Sequence, residues 1–196
     1  MLKPDYPIRT ERLRLRPYLA SDLDFLCDVM SRPEVVRFLY HDVRPRQEVA
    51  DLLEKRTSMT SIRAEGDNLV LAVQLGTTGP LVGDVTLSYQ SATHRQGEIG
   101  WVFHPDHHGH GYATEASRVL LRLAFEGLDL HRVIARCDGR NRASFQVMER
   151  LGMRREAHFV ENEFVKGEWT DEVVCALLAA EWRARPGESN IGASKV

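Results

Sequence analysis

The stretch Glu98-Ile99-Gly100-Trp101-Val102-Phe103-His104-Pro105-Asp106-His107-His108-Gly109-His110-Gly111-Tyr112-Ala113-Thr114-Glu115-Ala116 decides how this chain is read. Its first six residues have the composition of a β-strand. The next eight form a loop with two glycines and four histidines. An amphipathic helix follows, with Ala113, Ala116, Val119, Leu120, Leu123 and Ala124 on one face and Glu115, Arg118 and Arg122 elsewhere. A glycine-rich strand-to-helix junction is an anion site. The first N–H groups of a helix have no partner within it, and its dipole adds about half a positive charge at that end. Glycine removes the side chain that would hold a phosphate away from the backbone.

The motif narrows the ligand. A mononucleotide loop needs GxxxxGK followed by Ser or Thr, and no such run occurs. A dinucleotide fingerprint needs a third glycine where Thr114 stands, and an acid at the end of the next strand. Asp129 has that spacing but precedes the strand Val133-Ile134-Ala135-Arg136-Cys137.

Working outward, Arg12 to Arg16 alternates charge with leucine, as a half-buried strand does. Ser21 opens a helix that Pro33 ends, and a second helix runs from about Pro45 toward Ile62. Three strands follow, at Leu69–Val73, Leu81–Leu87 and Glu98–Phe103, joined by turns. After the glycine loop and its helix come the strand at Val133, a helix from Asn141 to Leu151, and two strands around Lys166-Gly167-Glu168. This order predicts an α/β fold, with a central sheet covered by helices on both faces.

Composition sets the setting. The 196 residues carry a formal net charge of −2, which gives no reason to expect nucleic acid or an anionic membrane as partner. No apolar run approaches the roughly 20 residues of a membrane span. Cys27, Cys137 and Cys175 are dispersed and odd in number, so a reducing, cytoplasmic setting is expected, each thiol acting as a small buried hydrophobe. His104, His107, His108 and His110 lack an ordered ligand pattern such as HExxH, and no metal is expected. The residues after Pro186 read as a disordered tail.

Several segments together resemble one family. His108-Gly109-His110-Gly111-Tyr112-Ala113 is similar to the R/Q-x-x-G-x-G/A motif of the GNAT acetyltransferases. The run Gly109 to Ala116, the stretch Asn141-Arg142-Ala143-Ser144 through Glu149-Arg150-Leu151-Gly152-Met153, the opening Thr10 to Arg16 and Gly167-Glu168-Trp169-Thr170-Asp171 resemble its RimJ/RimL-type branch. The resemblance covers nearly all of residues 1–185 and implies one acyl-CoA N-acyltransferase domain with a mixed, mainly antiparallel sheet. It implies acetyl-CoA as co-substrate and an amine acceptor, either a protein N-terminus or a small molecule; a homodimer is suggested by resemblance alone.

By that resemblance the amides of Gly109, His110, Gly111, Tyr112, Ala113 and Thr114, next to His108, hold the pyrophosphate. The backbone of Trp101, Val102 and Phe103 pairs with the pantetheine arm, and Asn141 and Ser144 hydrogen-bond the cofactor from across the sheet. Two departures stand out. His108 replaces the usual Arg or Gln. Met148 occupies the position where many members carry a Tyr acid, so Ser144, a water or no acid serves the leaving thiolate. Glu98, at the far end of the pantetheine strand, is the expected base for direct attack by the amine. Phe38, Tyr40 and Trp169 are candidates for the acceptor pocket. Competing readings are transfer of another acyl group such as succinyl, a CoA-binding module without turnover, and a nucleotide-binding regulator.

Overall fold

The structure, a computed structural model, describes residues 1–185; the tail expected to be disordered lies outside the described residues. The strands are β1 (Ile8–Arg9), β2 (Leu13–Arg16), β3 (Asn68–Leu75), β4 (Leu81–Ser91), β5 (Gln96–Phe103), β6 (Arg132–Asp138), β7 (Arg154–Val165) and β8 (Glu168–Leu178). The helices are α1 (Leu23–Ser31), α2 (Pro33–Val36), α3 (Arg46–Ser58), α4 (Tyr112–Arg122), α5 (Arg142–Arg150) and α6 (Ala179–Arg183). The strands form one sheet in the order β1-β2-β3-β4-β5-β6-β8-β7. Every neighbouring pair is antiparallel except β5 and β6.

Both faces are covered, as expected. On β3, Leu69, Leu71 and Val73 join the core built with Ala116, Val119 and Leu120 of α4 and Val147 and Met148 of α5. The intervening Val70 and Ala72 face Leu26, Val29 and Met30 of α1 and Val49 and Leu53 of α3. Side chains alternate across a strand, so burial on both sides turns β3 into a continuous apolar run.

The pairing of β5 with β6 positions the site. It covers only Gln96↔Arg132, Gly97↔Val133 and Glu98↔Ile134. Beyond Glu98 the two strands part, while β5 stays paired to β4 as far as Phe103↔Gly83 and β6 to β8 as far as Asp138↔Glu172. The sheet therefore has a wedge in its middle, with one free edge on each side.

Several sequence expectations shift. Pro33 does not end α1; the helix stops at Ser31 and Pro33 opens α2, where its missing N–H costs nothing. Ser21 is not the cap: the carboxylate of Asp22 accepts from Leu19 N at 2.8 Å and pairs with Arg16 at 2.7 Å. Helix α3 ends at Ser58, because the backbone of Ile62 exchanges hydrogen bonds with Leu2 at 2.7 and 2.8 Å. Strand β7 runs from Arg154 to Val165, directly into the expected turn. Its hairpin turns at Lys166 and Gly167 with φ of 53° and 84°, the positive pair that a tight two-residue turn requires. Of the cysteines only Cys175 is buried; Cys27 and Cys137 are half-buried.

Candidate active site

The glycine loop follows β5 directly. Pro105–His107 make a single tight helical turn, and α4 begins at Tyr112 with Gly111 as its cap. Gly109 and Gly111 have φ of 79° and 78°, the left-handed region that side chains avoid. A Cβ at Gly109 would meet nothing within 4 Å, and one at Gly111 only the Arg12 guanidinium at 3.6 Å, so the loop borders open space. Among the described residues no backbone carbonyl accepts from the amides of Gly109 through Thr114. The hydroxyl of Thr114 is buried without a partner beside them.

A carboxylate at a helix start would repel an anion, and Glu115 sits there. The structure disposes of it. Glu115 accepts from Thr10 Oγ1 at 2.6 Å, from Arg12 N at 3.0 Å and from Arg12 Nε at 2.7 Å. Burial alone would raise this carboxyl; those bonds hold it below the usual range. Arg12 also donates to the carbonyl of His110 at 2.9 Å and lies over the Tyr112 ring. The loop is thus pinned to the start of β2, while its amide face stays open.

The histidines diverge. His104 is buried, with Nε2 at 2.8 Å from Asp28 and Nδ1 accepting from Asp106 N at 3.2 Å. His108 turns Nε2 back to the Phe103 carbonyl at 3.0 Å, and His110 stacks on Tyr112. Among the described residues no group of three His, Cys, Asp or Glu side chains is placed to hold a metal ion.

Two clefts meet at the wedge. One, of about 490 Å³, runs from the glycine loop between α4 and α5. The other, of about 280 Å³, opens over β6 and β8. Phe38, Leu39, Trp101, Val102, Asn141 and Ser144 line both and so mark the junction. Asn141 caps α5, its side-chain oxygen accepting from Ser144 N at 3.1 Å. Met148 is fully buried in the core and reaches neither cleft. Cys137 borders the second cleft, but burial pushes its thiol up to about 12, which rules against a thiolate nucleophile.

The second cleft is rich in charge. Glu98 accepts from Arg136 Nε at 3.0 Å and from the Gln90 amide. The same guanidinium reaches Glu172 on β8, at 3.4 Å through its other arm. Asn162 donates to the second oxygen of Glu172 at 3.2 Å. On the floor, the carboxylate of Asp84 accepts from Tyr18 Oη at 2.8 Å and from Arg56 at 2.6 Å.

All sequence candidates but His110 therefore gather at one place: His108, Gly109 and residues 111–114 of the loop on one side, Trp101, Val102 and Phe103 on the free edge of β5, Asn141 and Ser144 at the junction, and Glu98 in the second cleft; His110 lines the neighbouring groove beside Arg12 instead. Phe38 and Tyr40 line that cleft, whereas Trp169 stands exposed and packs edge-on against Phe164. Sequence reasoning passed over Arg136 and Glu172. In β6 the available signal was Arg136, a lone charge between Ala135 and Cys137; Glu172 follows Asp171 at the head of an apolar run and carried none.

A family model described as an acetyltransferase (GNAT) domain matches residues 12–154. The chain is 32% identical over 176 residues to the uncharacterized N-acetyltransferase YnaD of Bacillus subtilis (strain 168), covering 89% of this chain and 98% of that one. The crystal structure of a GNAT-family acetyltransferase from Bacillus anthracis superposes with a TM-score of 0.79 at 31% identity, over 92% of this chain and all of that one. Spermidine N-acetyltransferase from Vibrio cholerae, solved with CoA and spermine, shares the fold at a TM-score of 0.75 and 22% identity, over 89% of this chain and 99% of that one. The chain belongs to the GNAT acetyltransferase family. It is an acetyl-transferring enzyme whose acceptor is an amine.

Proposed function

We propose that this enzyme binds acetyl-CoA along the wedge and passes the acetyl group directly to a primary amine entering from the second cleft. The observation that carries the reading is the parting of β5 from β6 after Glu98, with open amides at one end and a charged cleft at the other. A diphosphate needs converging N–H donors, and the residues from Gly109 to Thr114 offer them at a helix start. A flexible arm carrying two amides needs an unpaired strand edge, and Ile99 to Phe103 have a partner on one side only. A groove lined by Arg12, Arg118, Arg122 and Arg150 suits the remaining phosphate of CoA.

The bound coenzyme supplies an activated acyl thioester. The protein orients it and handles protons. Asn141 and Ser144 face the junction, where Ser144 is placed to assist the departing thiolate. A thiol pKa near 8.5 makes that group a tolerable leaving group even without a strong acid. On the acceptor side a carboxylate must take a proton from the ammonium; the sequence points to Glu98, and Glu172 stands across Arg136 from it. Acceptor identity separates two readings, a ribosomal-protein N-terminus, as in the RimJ/RimL-type branch, and a small cationic amine, as in the spermidine enzyme. The second cleft is lined by seven carboxylates against five lysines and arginines, and that negative excess favours the small cation. A cytoplasmic, single-domain enzyme is part of the same reading.

Calorimetric titration with acetyl-CoA, succinyl-CoA, NAD and ATP tests it. Acetyl-CoA is expected to bind and the nucleotides not to. Preference for succinyl-CoA would move the acyl donor, and failure of every CoA ester to bind would sink the reading.

A further inference from the structure

Two carboxylates face the end of the wedge where the amine enters, and one guanidinium lies between them. They are not equivalent. Glu98 receives the Arg136 Nε at 3.0 Å on one oxygen and the Gln90 amide on the other, so both oxygens are engaged at close range. Glu172 receives the same arginine only at 3.4 Å, Asn162 at 3.2 Å and the Tyr40 hydroxyl. It is also the more deeply buried, 5% exposed against a half-buried Glu98. Burial disfavours the charged form of a carboxylate, and at Glu172 that effect outweighs its partners.

The backbone explains why Glu172 is buried. Opposite it, β7 slips register: Phe159 pairs with Glu172, but the next pair is Glu163 with Thr170. The extra residues form a bulge, with Glu161 at a φ of 48°. Asp171 pins the bulge by accepting from Glu161 N at 3.0 Å and from His158 Nε2 at 2.9 Å. Bulges re-aim side chains, and this one brings Asn162 and Glu163 over the β8 face where Glu172 lies.

From this geometry we propose that Glu172 is the proton acceptor of the transfer and that Glu98 is a positioning residue that holds Arg136. The inference rests on the acetyl-transfer reading above. The acceptor ammonium gives one proton to the Glu172 carboxylate. The freed nitrogen pair then bonds to the thioester carbonyl carbon, the carbon–sulfur bond breaks, and the sulfur keeps the electron pair. The nitrogen's surplus proton passes to the thiolate through Ser144 or a water, and Glu172 releases its own to solvent. The charged and titratable groups facing Glu172 are Arg136 on β6, Glu98 on β5, Glu163 on β7 and Tyr40 from the segment between α2 and α3. Burial, before any of these, pushes the Glu172 carboxyl above the usual glutamate value; Arg136 and the Tyr40 hydrogen bond oppose it, and Glu163 and Glu98 add to it. A base raised toward the working pH is the better proton acceptor.

The test uses acetyl-CoA with spermidine and with an alanine-led peptide as acceptor probes, across pH, on the wild type and on E172Q, E98Q and R136Q. E172Q is expected to lose about 100-fold in kcat/KM and the acidic limb of the profile. E98Q keeps the limb and moves it to lower pH, because Arg136 then turns wholly to Glu172. R136Q moves it to higher pH. A second readout needs no turnover: side-chain carboxyl NMR of ¹³C-glutamate-labelled free enzyme, with the Glu172 resonance assigned by its loss in E172Q. That resonance is expected to titrate above the ordinary glutamate value and to shift down in E98Q. Retention of the acidic limb by E172Q, or a Glu172 resonance at or below the ordinary value, overturns the proposal. A wild type that binds no acetyl-CoA would instead remove the reading beneath it, which calorimetry reports separately.

Discussion

The two clefts are built from different materials. The loop side is made of backbone: open amides of Gly109 to Thr114, two left-handed glycines and one free strand edge. The acceptor side is made of side chains drawn from β4, β5, β6, β7 and β8, linked by the shared arginine and by the buried Asp84. Backbone binding tolerates many side-chain changes but few changes of dihedral angle. Side-chain binding does the reverse, and a single truncation there leaves a charge without its partner.

The largest expected effect breaks the comparison at its buried end. D84A strips Arg56 and the Tyr18 hydroxyl of their common acceptor. Removing one member of a buried pair costs about 3–5 kcal/mol, read as a lower urea midpoint. Acetyl-CoA affinity per folded molecule should be unchanged, since Asp84 lies on the acceptor side. A matching loss of affinity would show that the clefts are not separable. Next in size is G111V. A β-branched residue held at a φ of 78° costs about 1–3 kcal/mol, which should appear as roughly 5- to 150-fold weaker acetyl-CoA binding with little change in acceptor KM. Unaltered binding would mean that the phosphates do not use these amides.

The smallest effect sharpens the contrast between the two carboxylates. The folded Glu172 carboxyl lies above its unfolded value, so as pH rises past the ordinary glutamate value the unfolded chain gives up this proton first. Wild-type stability therefore falls across the interval up to the folded value. E172Q should lack that slope and be the more stable of the two near neutrality. E98Q should gain nothing, because it dissolves an ion pair. Chemical denaturation at two pH values checks both.

The same division explains what the sequence revealed. The loop site is legible because backbone geometry leaves local marks: glycine where φ is positive, and a strand before and a helix after. Asn141 was legible as the start of a helix, and its place beside the cofactor came from the family resemblance alone. Arg136 and Glu172 left no such mark, and Tyr40 was picked out only as an aromatic candidate for the acceptor pocket. They meet only because β8 inserts beside β6 and the segment after α2 folds over the pair, and neither event has a local signature. The bulge in β7 was not legible either: Glu161, Asn162 and Glu163 carry no turn signal, and polar residues are at home on an edge strand. Pro33 was read as a stop because proline both ends helices and opens them.

The wedge also has a mechanical consequence. Two halves of the sheet, four inter-strand pairings on one side and two on the other, are joined at β5–β6 by three residue pairs at one end, with the helical layer bridging above. Such a joint behaves as a zipper whose slider stops at Glu98. Amide hydrogen exchange should therefore run fastest along the open teeth, from Ile99 to Phe103 and from Ala135 to Asp138. A ligand laid into the gap would act as added teeth, slowing exchange on both strands at once and turning two hinged plates into one.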